Sequence, residues 1–269
     1  MQTDRLEAIR QHLYTQGACS IPALAEAVGT SLATVRRDLH LLEQQGIISR
    51  SHGSARIANG AETEAAFAVR EKQNLEAKRA IAQAAYDLLQ PHSAVFLDAG
   101  TTVLQLVRLL RINPIPLTVF TNGLVVAQEL ITISELKISL VGGQLRVENA
   151  SLVGPSAEAT LQGLWFDRLF LGASAIGDDH RIYSVDAAEA SLNALMRQRS
   201  AETVVLADAT KFGRRATYFV TSVDSSLHII TDDSLPDETG AGIRRTGAAL
   251  SLVAPVGRIG LRLAPGEAA

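Results

Sequence analysis

Cysteine is almost missing from this chain. Cys19 stands alone among 269 residues, so no internal disulfide can form, and no Cys/His cluster offers a structural metal site. Aromatic residues are scarce at 4%, against 47% hydrophobic residues. The apolar content is therefore mainly Ala, Leu, Val and Ile, which suits helices packed on a sheet. Excess positive charge is lacking as well. With a formal net charge of -3, any nucleic-acid contact has to come from a local basic patch. No apolar run is long enough to span a bilayer, and no apolar core follows Met1-Gln2-Thr3-Asp4-Arg5. A cytoplasmic protein is expected. Internal repeats and low-complexity tracts are absent, and the length allows two domains of ordinary size.

What is present begins with Leu6, Ile9 and Leu13 at helical spacing, closed by Gly17. Ile21, Leu24, Ala25 and Val28 mark a second short helix with Pro22 in its first turn, where proline is tolerated. Gly29-Thr30-Ser31 reads as a tight turn, with Ser31 as N-cap of a third helix running to about Gln45. Val35, Leu39 and Leu42 share the face that must be buried. Arg37 then projects outward, near Ala33, while Arg36 and His40 sit on a flank. Two helices joined by a glycine turn, the second carrying outward arginine, form a helix-turn-helix. Gly46 to Ile57 follows as two alternating runs around His52-Gly53, a small hairpin or wing. Ser31, Thr34, Arg36, Arg37, Arg50 and His52 are the expected DNA contacts, because arginine's planar fork matches phosphate oxygens and guanine edges. The plainer possibility is a three-helix domain with solvated arginines. The order and spacing of the parts favour DNA binding.

Residues 58–74 are polar and weakly periodic, which reads as a linker between a DNA-binding domain at 1–57 and an α/β domain at 75–255. A loose tail, 256–269, completes the expected division. Within the α/β domain, Ala94–Leu97, Leu117–Phe120, Leu136–Val141, Leu169–Ala173, Thr203–Ala207 and Leu227–Ile230 are apolar strands. Helical patterns alternate with the first of them, around Ile81 to Leu89, Val103 to Leu110 and Leu124 to Leu130. Strands apolar on both faces imply a mainly parallel sheet covered on both sides. Ligands of such sheets bind beyond the strands' carboxyl ends.

The informative loops fall there. Asp98-Ala99-Gly100-Thr101-Thr102 opens a helix, whose free N–H groups and dipole favour an anion such as phosphate. Thr121-Asn122-Gly123 opens another helix, Gly142-Gly143-Gln144-Leu145-Arg146 follows the third strand, and Asp208-Ala209-Thr210-Lys211 follows the Thr203–Ala207 strand. Lys211 is expected to neutralise the anion, and Asp98 or Asp208 to accept sugar hydroxyls. Taken singly, each is an ordinary turn, flexible loop or solvated lysine. Four such loops at strand ends point to one shared anion site.

Val28 to Leu39 with Leu42-Glu43, Gly46, Arg50 and His52-Gly53 resembles the winged helix-turn-helix signature of the DeoR family of sugar-metabolism regulators. Ser54 stands where that family usually has a second glycine. The later chain resembles the family's effector domain at Glu76-Ala77-Lys78, Asp98–Thr102, Thr121-Asn122, Gly142-Gly143, Ser151–Pro155, Phe166-Asp167, Leu171-Gly172, Glu189-Ala190, Met196 and Asp208 with Lys211-Phe212-Gly213. Asn193 stands where many members carry lysine. The resemblance implies a fold like ribose-5-phosphate isomerase, a sugar-phosphate effector, a DNA-bound homo-oligomer (dimer or tetramer), and a repressor whose operator affinity the effector controls. It implies effector contacts at Asp98, Gly100, Thr101, Thr102, Thr121, Asn122, Gly142, Gly143, Arg146, Glu189, Asp208 and Lys211, and no cofactor or metal.

The alternative is a sugar-phosphate isomerase fused to a DNA-binding domain. That chemistry needs a carboxylate base and an acid partner. Isomerases of that fold carry paired acids in the stretch resembling Leu171-Gly172-Ala173-Ser174-Ala175, which here has none. Binding without turnover is therefore expected. Asp178-Asp179-His180 imitates an acid–base or metal cluster but reads as a solvated turn. A pure protein–protein adaptor would leave the phosphate-type loops unexplained.

Overall fold

The computed structural model describes residues 2–44, 48–51, 53–57, 67 and 70–255. The chain divides into two compact units, Met1–Ala68 and Val69–Ala269.

The first unit runs α1 (Gln2–Gln16), β1 (Cys19–Ser20), α2 (Ile21–Ala27), α3 (Leu32–Gln44), β2 (Ile48–Ser51) and β3 (Ser54–Ile57). Gly29, at φ +62, makes the turn between α2 and α3, a conformation that side-chain-bearing residues resist. Ser20 Oγ accepts from Ala23 N at 3.3 Å and starts α2, and Ser31 Oγ accepts from Thr34 N at 3.2 Å and starts α3. The apolar stripe of α3, Val35, Leu39 and Leu42, packs with Ile9, Leu13, Leu24, Ile48 and Ala55. Asp38 on α3 also turns inward and is 1% exposed. Arg5 of α1 meets it with two hydrogen bonds, Nε at 2.5 Å and Nη2 at 3.2 Å. The strands form an antiparallel sheet ordered β1-β3-β2. Strand β1 was not legible beforehand, since two residues are too few to show alternation.

The second unit is built on seven parallel strands ordered β15-β14-β12-β9-β4-β5-β6. Here β4 is Ala94–Leu97, β5 Leu117–Thr121, β6 Leu136–Leu140, β9 Phe166–Gly172, β12 Ser200–Leu206, β14 Leu227–Asp232 and β15 Ala249–Val253. The chain steps outward from β4 to β5 and β6, then returns to the other side of β4 as β9. The winding reverses between β4 and β9, the place where sheets of this kind offer a crevice at the strands' carboxyl ends. Fully buried Phe166 packs on Phe96 and Phe120, each with ring centroids 5.1 Å apart. That packing explains why β9 begins at Phe166 rather than at Leu169, and Ala173, expected as its last residue, lies beyond its end.

Several elements lack a strong sequence signal. They are an antiparallel hairpin of β7 (Gln144–Arg146) and β8 (Ser151–Val153), a small sheet ordered β10-β11-β13 (Ala175–Ile176, Arg181–Ser184, Tyr218–Ser222), and helices Pro155–Gln162, Ala187–Gln198 and Asp237–Arg245. Their strands are short or half-exposed, so no apolar run announces them. The first helix of this unit, Leu75–Tyr86, stops before Leu88 and Leu89, although Leu89 remains buried. At the end of the expected linker, Arg70 and Asn74 hydrogen-bond within the second unit. Residues 58–66 and 68–69 of that linker and the 256–269 tail lie outside the described residues. Among the described residues, no helix is long and apolar enough to cross a membrane.

Leu39 is fully buried in a small core, so Leu39→Ala removes packing that its neighbours cannot replace. The expected loss is about 2–5 kcal/mol of local stability. Native-state hydrogen exchange of the α3 amides measures it, and a change below about 1 kcal/mol would contradict this account of the core.

Candidate functional site

On the first unit, α3 exposes Arg36 and Arg37, because Val35, Asp38 and Leu39 take the buried side. Ser31 and Thr34 lie at the start of the same helix, their hydroxyls 2.9 Å apart. Both acids that dilute this basic region are already paired. Asp38 is held by Arg5, and Glu43 accepts from Arg50 Nε at 2.7 Å. The Arg50 hydrogen bonds hold the Glu43 carboxyl below the usual carboxylate range. Arg50 therefore lies on the wing strand as expected, with its charge balanced by α3. His52 lies outside the described residues.

On the second unit, the β4–β9 crevice is lined by the loops singled out from the sequence. Asp98 follows β4 directly and is buried, and its Oδ2 accepts from Gly172 N, at the end of β9, at 3.0 Å. Burial, reinforced by the Glu189 charge, pushes the Asp98 carboxyl up to about 7, while backbone N–H groups of Gly172, Ala99 and Gly100 oppose the shift. Gly100 begins the Thr101–Ile112 helix in extended backbone and supplies no side-chain cap. The first-turn N–H groups of that helix are thus left for another acceptor.

Lys78 is the residue that sequence reasoning passed over as a contact. It lies on the Leu75–Tyr86 helix, 3% exposed, and its Nζ donates to Thr101 Oγ1 at 3.1 Å and to the Arg70 carbonyl. Burial pulls its ammonium down to about 8; Asp208 opposes the shift, and Lys211 and Arg70 add to it. A signal was available. One turn onward stand Ile81 and Ala82, both core residues, so position 78 falls on the buried face.

Asp208 is buried, and its Oδ1 accepts from Asn74 Nδ2 at 2.9 Å and from the Thr210 hydroxyl. Lys211 ends the short 3-10 turn Ala209–Lys211, half-buried. On the other side, Arg146 of β7 lies 3.2 Å from Glu189 and 3.6 Å from Asp186, and Ser184 Oγ donates to Glu189 at 2.9 Å. Asn122 is 1% exposed, its Nδ2 reaching the Leu152 carbonyl at 3.5 Å and its Oδ1 lacking a partner. Thr102 is buried in the first helical turn.

Not every expected contact turns toward the crevice. The Thr121 hydroxyl is fully buried, donating to the Leu97 carbonyl at 2.6 Å and accepting from Gly123 N at 3.0 Å, so it straps β5 to β4. Gly142 and Gly143 are exposed, and a Cβ on Gly143 would lie 2.6 Å from the Val153 carbonyl oxygen. Its glycine therefore serves the close approach of β7 and β8. Asp179, expected in a solvated turn, is tied down by the Tyr183 hydroxyl at 2.6 Å and by Arg215 at 3.3 Å. Among the described residues, no group of three or more His, Cys, Asp or Glu is arranged to hold a metal.

Comparison with known proteins gives matches to both units. A family model described as a DeoR-like helix-turn-helix domain matches residues 5–60, and one described as the DeoR C-terminal sensor domain matches residues 73–233. The chain is 34% identical to a putative aga operon transcriptional repressor of Escherichia coli O157:H7, covering 93% of this chain and 94% of that protein. It is 37% identical to the HTH-type transcriptional regulator GlpR of Haloferax volcanii, covering 85% and 89%. With the L-fucose operon activator of Haemophilus influenzae it shares 32% identity over 87% of this chain and 93% of that protein. Among solved structures, a ribose 5-phosphate isomerase A from Methanocaldococcus jannaschii aligns at 15% identity over 52% of this chain and 55% of that one, with a TM-score of 0.39. That likeness is too weak to carry an argument.

The two shifted groups give the second unit a distinct pH profile. Asp98, raised from 3.8 to about 7, binds more protons folded than unfolded, so its contribution falls as pH rises from about 4 to about 7. Lys78, lowered from 10.5 to about 8, binds fewer protons folded than unfolded, so stability recovers as pH rises from about 8 to about 10.5. Denaturant melts of the second unit against pH are expected to show a minimum between these windows. Asp98→Asn removes the acid-side slope and Lys78→Met the alkaline one. Unchanged slopes in both variants would refute the assignment.

Proposed function

Because the chain belongs to the DeoR family of transcription regulators, we propose that it represses a sugar-catabolic operon and that a sugar phosphate bound in the β4–β9 crevice sets its affinity for DNA. The observation that carries the reading is buried Lys78, aimed at Thr101 beside a helix start with no side-chain cap. Such a site accepts a phosphate dianion: N–H groups of the first turn, the Thr101 and Thr102 hydroxyls, Lys78 and Lys211 supply donors and charge. Around it, Asp98, Glu189 and Asp208 face sugar hydroxyls as acceptors, and the unpartnered Asn122 Oδ1 accepts one more. Gly143 and Arg146 border the same space. The relatives' names include a repressor and an activator, and all of them name regulators.

DNA is read by α3 in the major groove, with Arg37 at base edges and Arg36, Ser31 and Thr34 nearer the backbone. Arg50 exchanges Glu43 for a phosphate, so the wing engages only when DNA replaces its partner. One such unit reads few base pairs, which makes a cytoplasmic homo-oligomer on half-sites about 34–36 Å apart the fitting assembly.

One observation favours turnover instead: a buried carboxylate held near neutrality beside a second acid is also what an isomerase base requires. Against it, Asp98 Oδ2 is committed to Gly172 N–H, and Glu189 to Ser184 and Arg146. Both acids are thus acceptors held in place. Incubation with ribose 5-phosphate is expected to yield no ribulose 5-phosphate above the no-protein control.

Arg37→Ala is expected to cost about 1–3 kcal/mol of base discrimination, so the gap between specific and scrambled duplexes narrows in gel-shift titrations. Normal binding to both would remove α3 from the groove. Lys211→Ala is expected to weaken a sugar phosphate about tenfold or more, since a hydrogen bond to a charged group is worth roughly 1.5–3 kcal/mol. The corresponding free sugar serves as control in calorimetry. Equal losses for both ligands would take Lys211 out of phosphate binding.

A further inference from the structure

The site described above is closed on one side by residues 70–74, the first described residues past the division between the two units. Among the ties that hold them are four made through side chains. Arg70 Nη2 donates to the Glu148 carbonyl at 2.6 Å, and the Arg70 carbonyl accepts from Lys78 Nζ. Glu71 pairs with Arg108 at 2.7 Å, and Asn74 Nδ2 donates to Asp208 Oδ1 at 2.9 Å. These ties depend on side chains throughout, and side-chain ties break more easily than a strand ladder. Asn74 sits at φ 52 directly before the Leu75–Tyr86 helix, yet makes no capping bond to it. Its amide is spent on Asp208 instead.

Two of the four ties use groups that a ligand would use. Lys78 Nζ serves both the Arg70 carbonyl and Thr101, and Asp208 Oδ1 serves both Asn74 and Thr210. We propose that residues 70–74 are a strap that competes with the ligand for Lys78 and Asp208, so that ligand binding releases it and passes the occupancy of the site along the chain toward the DNA-binding unit. This rests on the sugar-phosphate reading of the site. A phosphate at the start of the Thr101–Ile112 helix draws Lys78 away from the Arg70 carbonyl. A sugar hydroxyl draws Asp208 away from Asn74. Arg70 then loses the Lys78 tie to its carbonyl, and the Glu189 and Arg146 charges that act on its guanidinium are themselves rearranged by the ligand. Strap-on and strap-off are the two arrangements that a ligand must distinguish if it is to alter DNA affinity at all.

The competition fixes the sign of the test. Loosening the strap without touching the ligand's own groups strengthens ligand binding and mimics the ligand's effect on DNA. Asn74→Gly removes the amide while keeping the left-handed backbone that Ala would strain. Glu71→Gln releases Arg108 and leaves the backbone unchanged. Both full-length variants and the wild type are titrated by calorimetry with ribose 5-phosphate, fructose 6-phosphate, glycerol 3-phosphate and inorganic phosphate. DNA affinity is measured by fluorescence anisotropy, with and without the tightest of these, on a duplex that the wild type selects from a random pool. The expected result is about fivefold tighter sugar-phosphate binding in Asn74→Gly and a smaller gain in Glu71→Gln. The ratio of DNA affinities with and without ligand is expected to move toward one in both. Unchanged ligand affinity and an unchanged ratio overturn the strap while leaving the sensor reading intact. Weaker ligand binding in Asn74→Gly makes Asn74 a ligand contact and also overturns the strap. If the wild type binds none of the four probes, the sensor reading falls and the strap with it. If Asn74→Gly does not fold, Glu71→Gln decides the matter alone.

Discussion

The second unit depends on the close approach of two backbones where its winding reverses. Gly100, after β4, and Gly172, at the end of β9, lie so near that a Cβ built on Gly100 would stand 3.3 Å from Gly172 Cα. Between them sits Asp98, bound to the Gly172 N–H, and a Cβ on Gly172 would stand 3.0 Å from its Oδ2. A side chain on either glycine would force the strands apart or drive the carboxylate out. Because both positions are glycine, the buried acid can reach backbone donors and the Thr101–Ile112 helix can begin close to the crevice. The shifted Asp98, the uncapped helix start and the place of Lys78 beneath it all follow from that approach.

Charged groups of both signs crowd together in this region. Lys78, Lys211, Arg70 and Arg146 stand against Asp98, Glu189, Asp208 and Asp186, and most contacts among them run between opposite charges. Burial nevertheless displaces two of them, Asp98 and Lys78, toward their neutral forms. A group held away from its preferred ionisation gains more from a complementary partner than a solvated one does.

The first unit solves a related problem on a smaller scale. A recognition helix needs a cationic outer face, yet α3 carries two acids. Asp38 is drawn inward to Arg5, and Glu43 sideways to Arg50, so neither opposes DNA at the exposed Arg36 and Arg37. The Arg5–Asp38 pair also fixes α1 against α3, joining the helix that must be presented to the one that supports it. The apolar stripe of Val35, Leu39 and Leu42 sets which way α3 faces, and the Arg5–Asp38 pair adds to it.

Periodicity and turn chemistry alone determined much of this protein. The three N-terminal helices, the glycine turn between α2 and α3, and most of the seven parallel strands were legible, because each is long or strongly apolar on the face it buries. The loops at strand ends were legible as loops, from their glycines and hydroxyls, and the positions of the strands placed them at the carboxyl ends of the sheet. Tertiary structure decided what each residue in those loops does. Thr121 and Gly143 were expected as ligand contacts and have framework roles as well, since only the paired strands show that a hydroxyl bonds Leu97 or that a glycine lies against Val153. Lys78 was noted only within a family resemblance, and Asn74 as part of a linker, until packing placed the first under Thr101 and the second on Asp208. A side chain's type and its neighbours in sequence fix its chemistry. Its burial and its competitors for hydrogen bonds come from residues distant in the chain, such as the 134 positions that separate Asn74 from Asp208, and those only the fold brings together.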